Sequence, residues 1–236
     1  MQSGEFSTGS PRRVFGRRHG RKLRLSQQAL LAELYPPRKL ELPAGDGPVD
    51  PTTFFGAQNS REIWFEIGFG GGEHLAAQAR ANPDVGLIGC EPFLNGVVSL
   101  LQDLDREGLA DNLQIWNDDA RKVMDRLPDA CISKAFLLFP DPWPKKRHNK
   151  RRFVSQENLD VLARVLKPGA ELRMASDDMD YIAWMLAETC PHPAFRWTAT
   201  GPSDWRDRPA DAPQTRYEAK ARAKGLKPAF LRFERI

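Results

Sequence analysis

Cysteine is scarce in this chain: Cys90, Cys131 and Cys190 are the only three in 236 residues, with no Cys-x-x-Cys pair and no Cys/His cluster. A disulfide framework and a cysteine-built metal site are both excluded, and Cys90 and Cys131, beside apolar runs, read as small core residues. No metal is expected. No apolar run approaches the roughly 20 residues that a membrane span needs, and the first residues lack the apolar stretch of a secretory signal. A cytoplasmic protein with no membrane contact is therefore expected. Internal repeats are also lacking, and no feature demands a protein partner, which leaves a monomer or a homodimer. Acidic residues are missing from two stretches. Between Arg12 and Arg24 there are seven Arg or Lys and no acid, and from Lys145 to Arg152 six of eight positions are basic. The net charge of +4 is modest; its placement suits a polyanion, although a run of this kind is also what a solvated face looks like.

What is present is a globular composition, 41% hydrophobic and 28% charged, long enough for one sizeable domain with an arm. Residues 1–24, rich in Gly, Ser and Arg, read as a basic, flexible N-terminal arm, and residues 25–236 as the folded domain. A short helix is expected from Ser26, as N-cap, to Leu34, ahead of Pro36-Pro37. From about residue 56 strands and helices alternate. Strands are predicted at Ile63–Ile67, Leu87–Cys90, Leu113–Trp116, Ala135–Phe139 and Glu171–Ala175. The helices between them are expected near 73–81, 95–107, 120–126 and 155–166, the last stopping at Lys167-Pro168-Gly169, with another at 179–188. Thr215 to Gly225 reads as a further helix and Phe230–Phe233 as a closing strand. That alternation implies a parallel sheet covered on both faces, with ligands at the carboxyl ends of its strands.

Chemistry-bearing residues fall at those ends. Glu66-Ile67-Gly68-Phe69-Gly70-Gly71-Gly72-Glu73 closes the first strand and opens the first helix, and its glycines permit positive φ and close approach of a ligand to the backbone. A dinucleotide site wants a third glycine where Glu73 stands, because a pyrophosphate rests on that helix start. An acid there counts against NAD and favours S-adenosylmethionine, whose sulfonium and ammonium groups welcome carboxylates. Glu91 follows the second strand, about 20 residues beyond the glycine loop, where an acid accepts from ribose hydroxyls. Asn117-Asp118-Asp119-Ala120 ends the third strand, where a carboxylate can accept from an adenine amino group. Phe139-Pro140-Asp141-Pro142-Trp143-Pro144 ends the fourth: prolines make it a stiff, non-helical turn that presents a carboxylate and an indole beside the second basic run. Trp143 either stacks on a base or packs against the turn.

These residues resemble the bacterial tRNA (guanine-N7)-methyltransferases. The resemblance is carried by Phe139-Pro-Asp-Pro-Trp with Lys145 and the run Arg147 to Arg152. Glu66-Ile-Gly-Phe-Gly, Glu91, Asp119-Ala120, Ser176-Asp177, Thr215-Arg-Tyr-Glu218 and Arg17-Arg18-His19-Gly20-Arg21 join it, covering nearly the whole chain from about residue 15. It implies an α/β, Rossmann-like class I S-adenosylmethionine-dependent methyltransferase with a mostly parallel seven-stranded sheet and helices on both faces. It further implies transfer of a methyl group to N7 of a guanine in tRNA, the variable-loop guanosine. Glu66, Gly68, Gly70, Glu91, Asp119 and Asp141 would hold the donor, with Asp141 also the catalytic residue. Lys145, Asp177, Thr215, Arg216, Tyr217 and Glu218 would meet the substrate, and Arg147, His148, Asn149, Lys150, Arg151 and Arg152 the RNA. Two departures stand out: Asp118 duplicates the acid beside Asp119, and Pro144 occupies a position that is more often polar in the family. Glu218 could accept from guanine or pair with an arginine. Two rivals remain, an adenine-N6 or other amino methyltransferase, since Asp-Pro-Trp-Pro loosely echoes its turn, and a non-catalytic RNA-binding scaffold. A hydride-transfer enzyme ranks below both because of Glu73.

Overall fold

The computed structural model describes residues 15–16, 18, 20–56 and 62–236. Fifteen α-helices and strands follow one another among these residues: α1 Leu25–Leu34, β1 Glu62–Ile67, α2 Glu73–Ala81, β2 Val85–Cys90, α3 Leu94–Glu107, β3 Leu113–Trp116, α4 Ala120–Met124, β4 Ile132–Leu138, α5 Gln156–Val165, β5 Leu166–Ser176, α6 Met179–Thr189, β6 Phe195–Trp197, α7 Ser203–Arg206, α8 Arg216–Ala223 and β7 Ala229–Arg235. The strands make one sheet in the order β3-β2-β1-β4-β5-β7-β6. β1 to β5 run parallel, and β7 is antiparallel to both neighbours. The strand order reverses between β1 and β4, and the parallel run brings the carboxyl ends of five strands to one edge.

Alternation along the strands builds both faces of the core. Ile63, Phe65, Ile67, Ala135 and Leu137 point to a cluster shared with α4, α5 and α6. Trp64, Leu87 and Phe136 point the other way, to a cluster shared with α2 and α3 and backed by Leu30, Leu31 and Leu34 of α1. Helix starts follow local chemistry. Asp119 caps α4 by accepting from the Arg121 N–H at 3.0 Å, and Asp178 caps α6 by accepting from the Tyr181 N–H at 2.9 Å. Thr215 caps α8 through its hydroxyl, which accepts from the Glu218 N–H at 3.2 Å.

The expected elements are present with several differences, one of them the unanticipated short helix α7. α1 starts at Leu25, with its cap two residues earlier than expected: the Gln27 side chain accepts from the Arg24 N–H at 3.0 Å, so Arg24 takes the cap and Ser26 lies inside the first turn. β4 stops at Leu138 because Phe139 turns to φ 52°. Lys167-Pro168-Gly169 does not separate helix from strand: β5 is already paired at Leu166, opposite Ile132, and a register shift before Lys134 absorbs the extra residues. The seventh strand, β6, left no pattern to find; it is three residues at the sheet edge with only Phe195 buried. The basic arm, residues 1–24, lies mostly outside the described residues. Where described, it is fastened to α3: the Gly20 N–H donates to Asn95 Oδ1 at 2.9 Å, and Asn95 Nδ2 donates to the Arg21 carbonyl at 2.9 Å. No helix among the described residues is long and apolar enough to cross a membrane.

The α2/α3 face should dominate stability at the β3 edge. Leu104, fully enclosed there, is expected to cost about 2–5 kcal/mol when truncated to alanine. Urea unfolding of Leu104→Ala checks this; a loss under about 1 kcal/mol would show that the site collapses around the smaller side chain.

Candidate active site

A cavity of about 570 Å³ opens at the carboxyl edge of the parallel strands. Its floor is the glycine loop. Gly68, Gly70 and Gly72 have φ of 69°, 58° and 82°, left-handed values that a side chain resists. The Gly68 N–H donates to the Cys90 carbonyl at 2.8 Å, tying the loop to the end of β2. Beyond that end, Glu91 accepts from the Gly70 N–H at 2.7 Å and from the Phe93 N–H at 2.9 Å, one on each oxygen. Burial raises the Glu91 pKa above its ordinary value; the two backbone donors pull against that, and Asp141 adds a smaller upward push. Each carboxylate oxygen keeps a second lone pair for a ligand. α3 packs so closely that a Cβ on Gly96 would come within 2.2 Å of the Gly70 carbonyl oxygen.

All six residues expected to hold the methyl donor line this cavity: Glu66, Gly68, Gly70, Glu91, Asp119 and Asp141. Glu66 is buried and lies 2.7 Å from Nδ1 of His74, itself buried on α2. Asp119, not Asp118, faces the cavity. Both oxygens of Asp119 are gripped by Arg121, through Nε at 2.9–3.0 Å and Nη2 at 2.6 Å, whereas Asp118 turns outward to Arg18 at 2.7 Å and to Lys122. The Pro-rich turn delivers Asp141 to the rim, exposed to solvent. Trp143 has φ of 46°. Its half-buried ring meets Phe15 edge-on at 6.4 Å and His148 at 6.0 Å, with the Arg151 guanidinium 4.9 Å from its centre.

The basic run forms a 3-10 helix, Lys146–Arg151, beside that turn. Lys145, Lys146, Arg147 and Lys150 are exposed, while His148 and Asn149 are half-buried; of the run, Lys150, Arg151 and Arg152 reach the cavity lining. Arg152 departs from the expectation of an RNA contact: its side chain is 1% exposed, because it is turned inward onto Asp180, Tyr181 and Trp184. From the tail, Thr215 and Tyr217 line the cavity, and a Cβ on Gly70 would lie 3.0 Å from the Tyr217 ring. Arg216 pairs with Glu73 at 3.1 Å, bringing α8 onto the glycine loop. Glu218 is buried and paired with Arg222 at 2.8 Å and Arg208 at 3.2 Å. Asp177 sits half-buried in the turn after β5, away from the cavity lining.

Arg121, His74, Phe15 and Gly16 are site residues that the sequence reading missed. Arg121 and His74 act on carboxylates through tertiary contacts, and Phe15 and Gly16 reach the cavity from a segment without a strand or helix pattern. Chemically, the cavity suits a cationic, hydroxyl-bearing ligand. Glu73 begins α2 where a pyrophosphate would need to rest, and Glu66, Glu91 and Asp119 supply acceptors. Gly68 leaves open space where a side chain would stand. The ammonium, ribose hydroxyls and adenine amino group of S-adenosylmethionine match that set of acceptors.

Comparison with known proteins agrees with this chemistry. A family model described as "Putative methyltransferase" matches residues 60–231. The chain is 52% identical over 225 residues to a tRNA (guanine-N(7)-)-methyltransferase of Rhodospirillum rubrum, covering 94% of this chain and 88% of that protein. It is 48% identical over 237 residues to the enzyme of the same name from Paracoccus denitrificans, with 98% of each covered. Solved structures share the fold at low identity. An antibiotic-related methyltransferase aligns with a TM-score of 0.54 at 15% identity, over 84% of this chain and 97% of that one. The 16S rRNA methyltransferase KamB aligns with a TM-score of 0.53 at 14% identity, over 84% and 99%.

The close contact of α3 with the glycine loop makes Gly96→Ala a test of the floor. The variant is expected to lose about 1–3 kcal/mol of stability and to exchange its amides faster across residues 68–72. Unchanged exchange there would show that the loop is shaped by its own glycines alone.

Proposed function

The chain belongs to the tRNA (guanine-N7)-methyltransferase family, and from that premise we propose that it transfers a methyl group from S-adenosylmethionine to N7 of a guanine in tRNA, the variable-loop guanosine. The observation that carries this reading is the convergence of Glu66, Glu91, Asp119 and Asp141 on one cavity that Lys150 and Arg151 of the basic run also line. When bound, the donor supplies an electrophilic methyl group on a sulfonium. Glu91, with a free lone pair on each oxygen, accepts from the ribose hydroxyls, and Asp119, held by Arg121, accepts from the adenine amino group. Glu66, braced by His74 in the cavity lining, would face the donor's charged end.

Guanine N7 has a lone pair and no proton, so no base is needed to free the nucleophile. General-base help is worth roughly 10²–10⁴-fold, whereas holding two reactants in line supplies about 7–11 kcal/mol. Positioning is therefore the work of this site. Asp141 accepts from the guanine N1–H and amino group, which orients the ring and raises electron density at N7. Lys145, Lys146, Arg147 and Lys150 take the phosphates of the folded RNA, and Thr215 to Tyr217 close the side of the cavity facing the base.

Transfer of labelled methyl to total tRNA, followed by base analysis, tests the reading: 7-methylguanine is expected, and N6-methyladenine or no transfer would refute it. Asp141→Asn should lower turnover on the order of 10²-fold while leaving affinity for S-adenosylhomocysteine within a few-fold by calorimetry. Equal losses in both would remove Asp141 from its role. Affinity for tRNA should fall steeply with salt, and Lys146→Ala with Arg147→Ala should flatten that slope by about one charge each. A slope that ignores both substitutions would make the run a solvated face.

A further inference from the structure

One cation of the basic run faces inward, and its contacts lead to Asp141. Pro140, Pro142 and Pro144 have no N–H to donate, so the turn has few backbone donors with which to close on itself. It also holds two bulky residues in the left-handed region, Phe139 at φ 52° and Trp143 at φ 46°, one on each side of Asp141. Such conformations persist only where the surroundings over-determine them, and they gather at functional sites. Phe139 is secured at one end, its N–H donating to the Ala175 carbonyl at 2.8 Å. At the other end the Pro142 carbonyl, one residue past Asp141, accepts from Arg152 Nε at 2.9 Å.

The rest of Arg152 is fixed to α6. Its Nη2 pairs with Asp180, and its guanidinium carbon lies 4.9 Å from the Tyr181 ring centre and 5.1 Å from that of Trp184. The chain that follows it is fastened to the same helix. The Phe153 N–H donates to the Tyr181 hydroxyl at 3.1 Å, and Trp184 Nε1 donates to the Val154 carbonyl at 2.8 Å. With 1% of its side chain exposed, Arg152 offers nothing to a phosphate.

We propose that Arg152 is a positioning residue that holds Asp141 in place by linking the Pro142 carbonyl to α6, and that it makes no contact with RNA. A planar fork is required: lysine would keep the charge but could not donate to Pro142, pair with Asp180 and stack between two rings at once. The inference rests on the proposed methyl transfer, in which alignment at Asp141 sets the rate.

The test uses full-length wild type, Arg152→Lys, Arg152→Gln and Asp180→Asn. Calorimetry with S-adenosylhomocysteine counts competent sites, turnover is expressed per competent site, and tRNA affinity is followed against salt. Both Arg152 variants are expected to lose about 10²-fold in turnover per site, the cost of a displacement near 1 Å, with tRNA affinity and salt slope unchanged. Asp180→Asn should lose less, in the same direction. Wild-type turnover in Arg152→Lys would overturn the proposal, and so would a salt slope in Arg152→Gln smaller by about one charge. Should the Arg152 variants fail to fold, Asp180→Asn decides: reduced turnover at an unchanged slope supports the link, and undiminished turnover refutes it. A wild type that does not methylate guanine N7 refutes the activity, whereas the salt slope of Arg152→Gln still judges the RNA contact by itself.

Discussion

A carboxylate taken out of water needs donors, and Glu91 obtains them from two backbone N–H groups on different segments. That requirement shapes the floor of the site. For the Gly70 N–H to reach β2 the loop must pass through left-handed conformations, and for α3 to begin beside it Gly96 must have no side chain. The same contacts pull the Glu91 pKa down against the larger rise that its own burial causes. Glu73, the residue that spoils a pyrophosphate site, is paired with Arg216 and so ties the tail helix to the same loop. One buried acid thus organises the loop, the start of α3 and, through the loop, the approach of α8.

The opposite wall follows a different logic. Prolines stiffen the turn that carries Asp141 but remove the N–H groups that would anchor it, so the anchoring falls to a side chain. The basic run divides its labour accordingly. Lys145, Lys146, Arg147 and Lys150 point to solvent, where charge attracts a polyanion, while Arg152 turns inward. Arg151 lies between the two, over the rings of Phe15 and Trp143. Residues adjacent in sequence and alike in charge therefore serve recognition and geometry separately.

Much of this is legible in the order of residues alone. Short apolar runs placed β1 to β5, glycines and prolines placed the breaks, and the acids at strand ends fell together because parallel strands share a direction. The family resemblance supplied the roles of the Pro-rich turn and the tail. What escaped notice lacks local periodicity or depends on distant partners. β6 is three edge residues long with one buried. Arg121 was invisible as the clamp on Asp119, since an arginine two positions after an acid is common on any helix start. The choice between Asp118 and Asp119 likewise depended on Arg18 and Lys122 drawing the first outward.

Residue order by itself determined the alternating α/β plan, the stiffness of the Pro-rich turn and the cluster of acids at strand ends. These follow from backbone preferences and side-chain periodicity, which act over a few residues. Tertiary structure alone decided which like-charged neighbours face the cavity, the solvent or the core. Glu218 became a buried partner of Arg208 and Arg222, and Arg152 became internal, because direction is set by what packs opposite. Charge is a property of the residue; its exposure and its partner are properties of the fold.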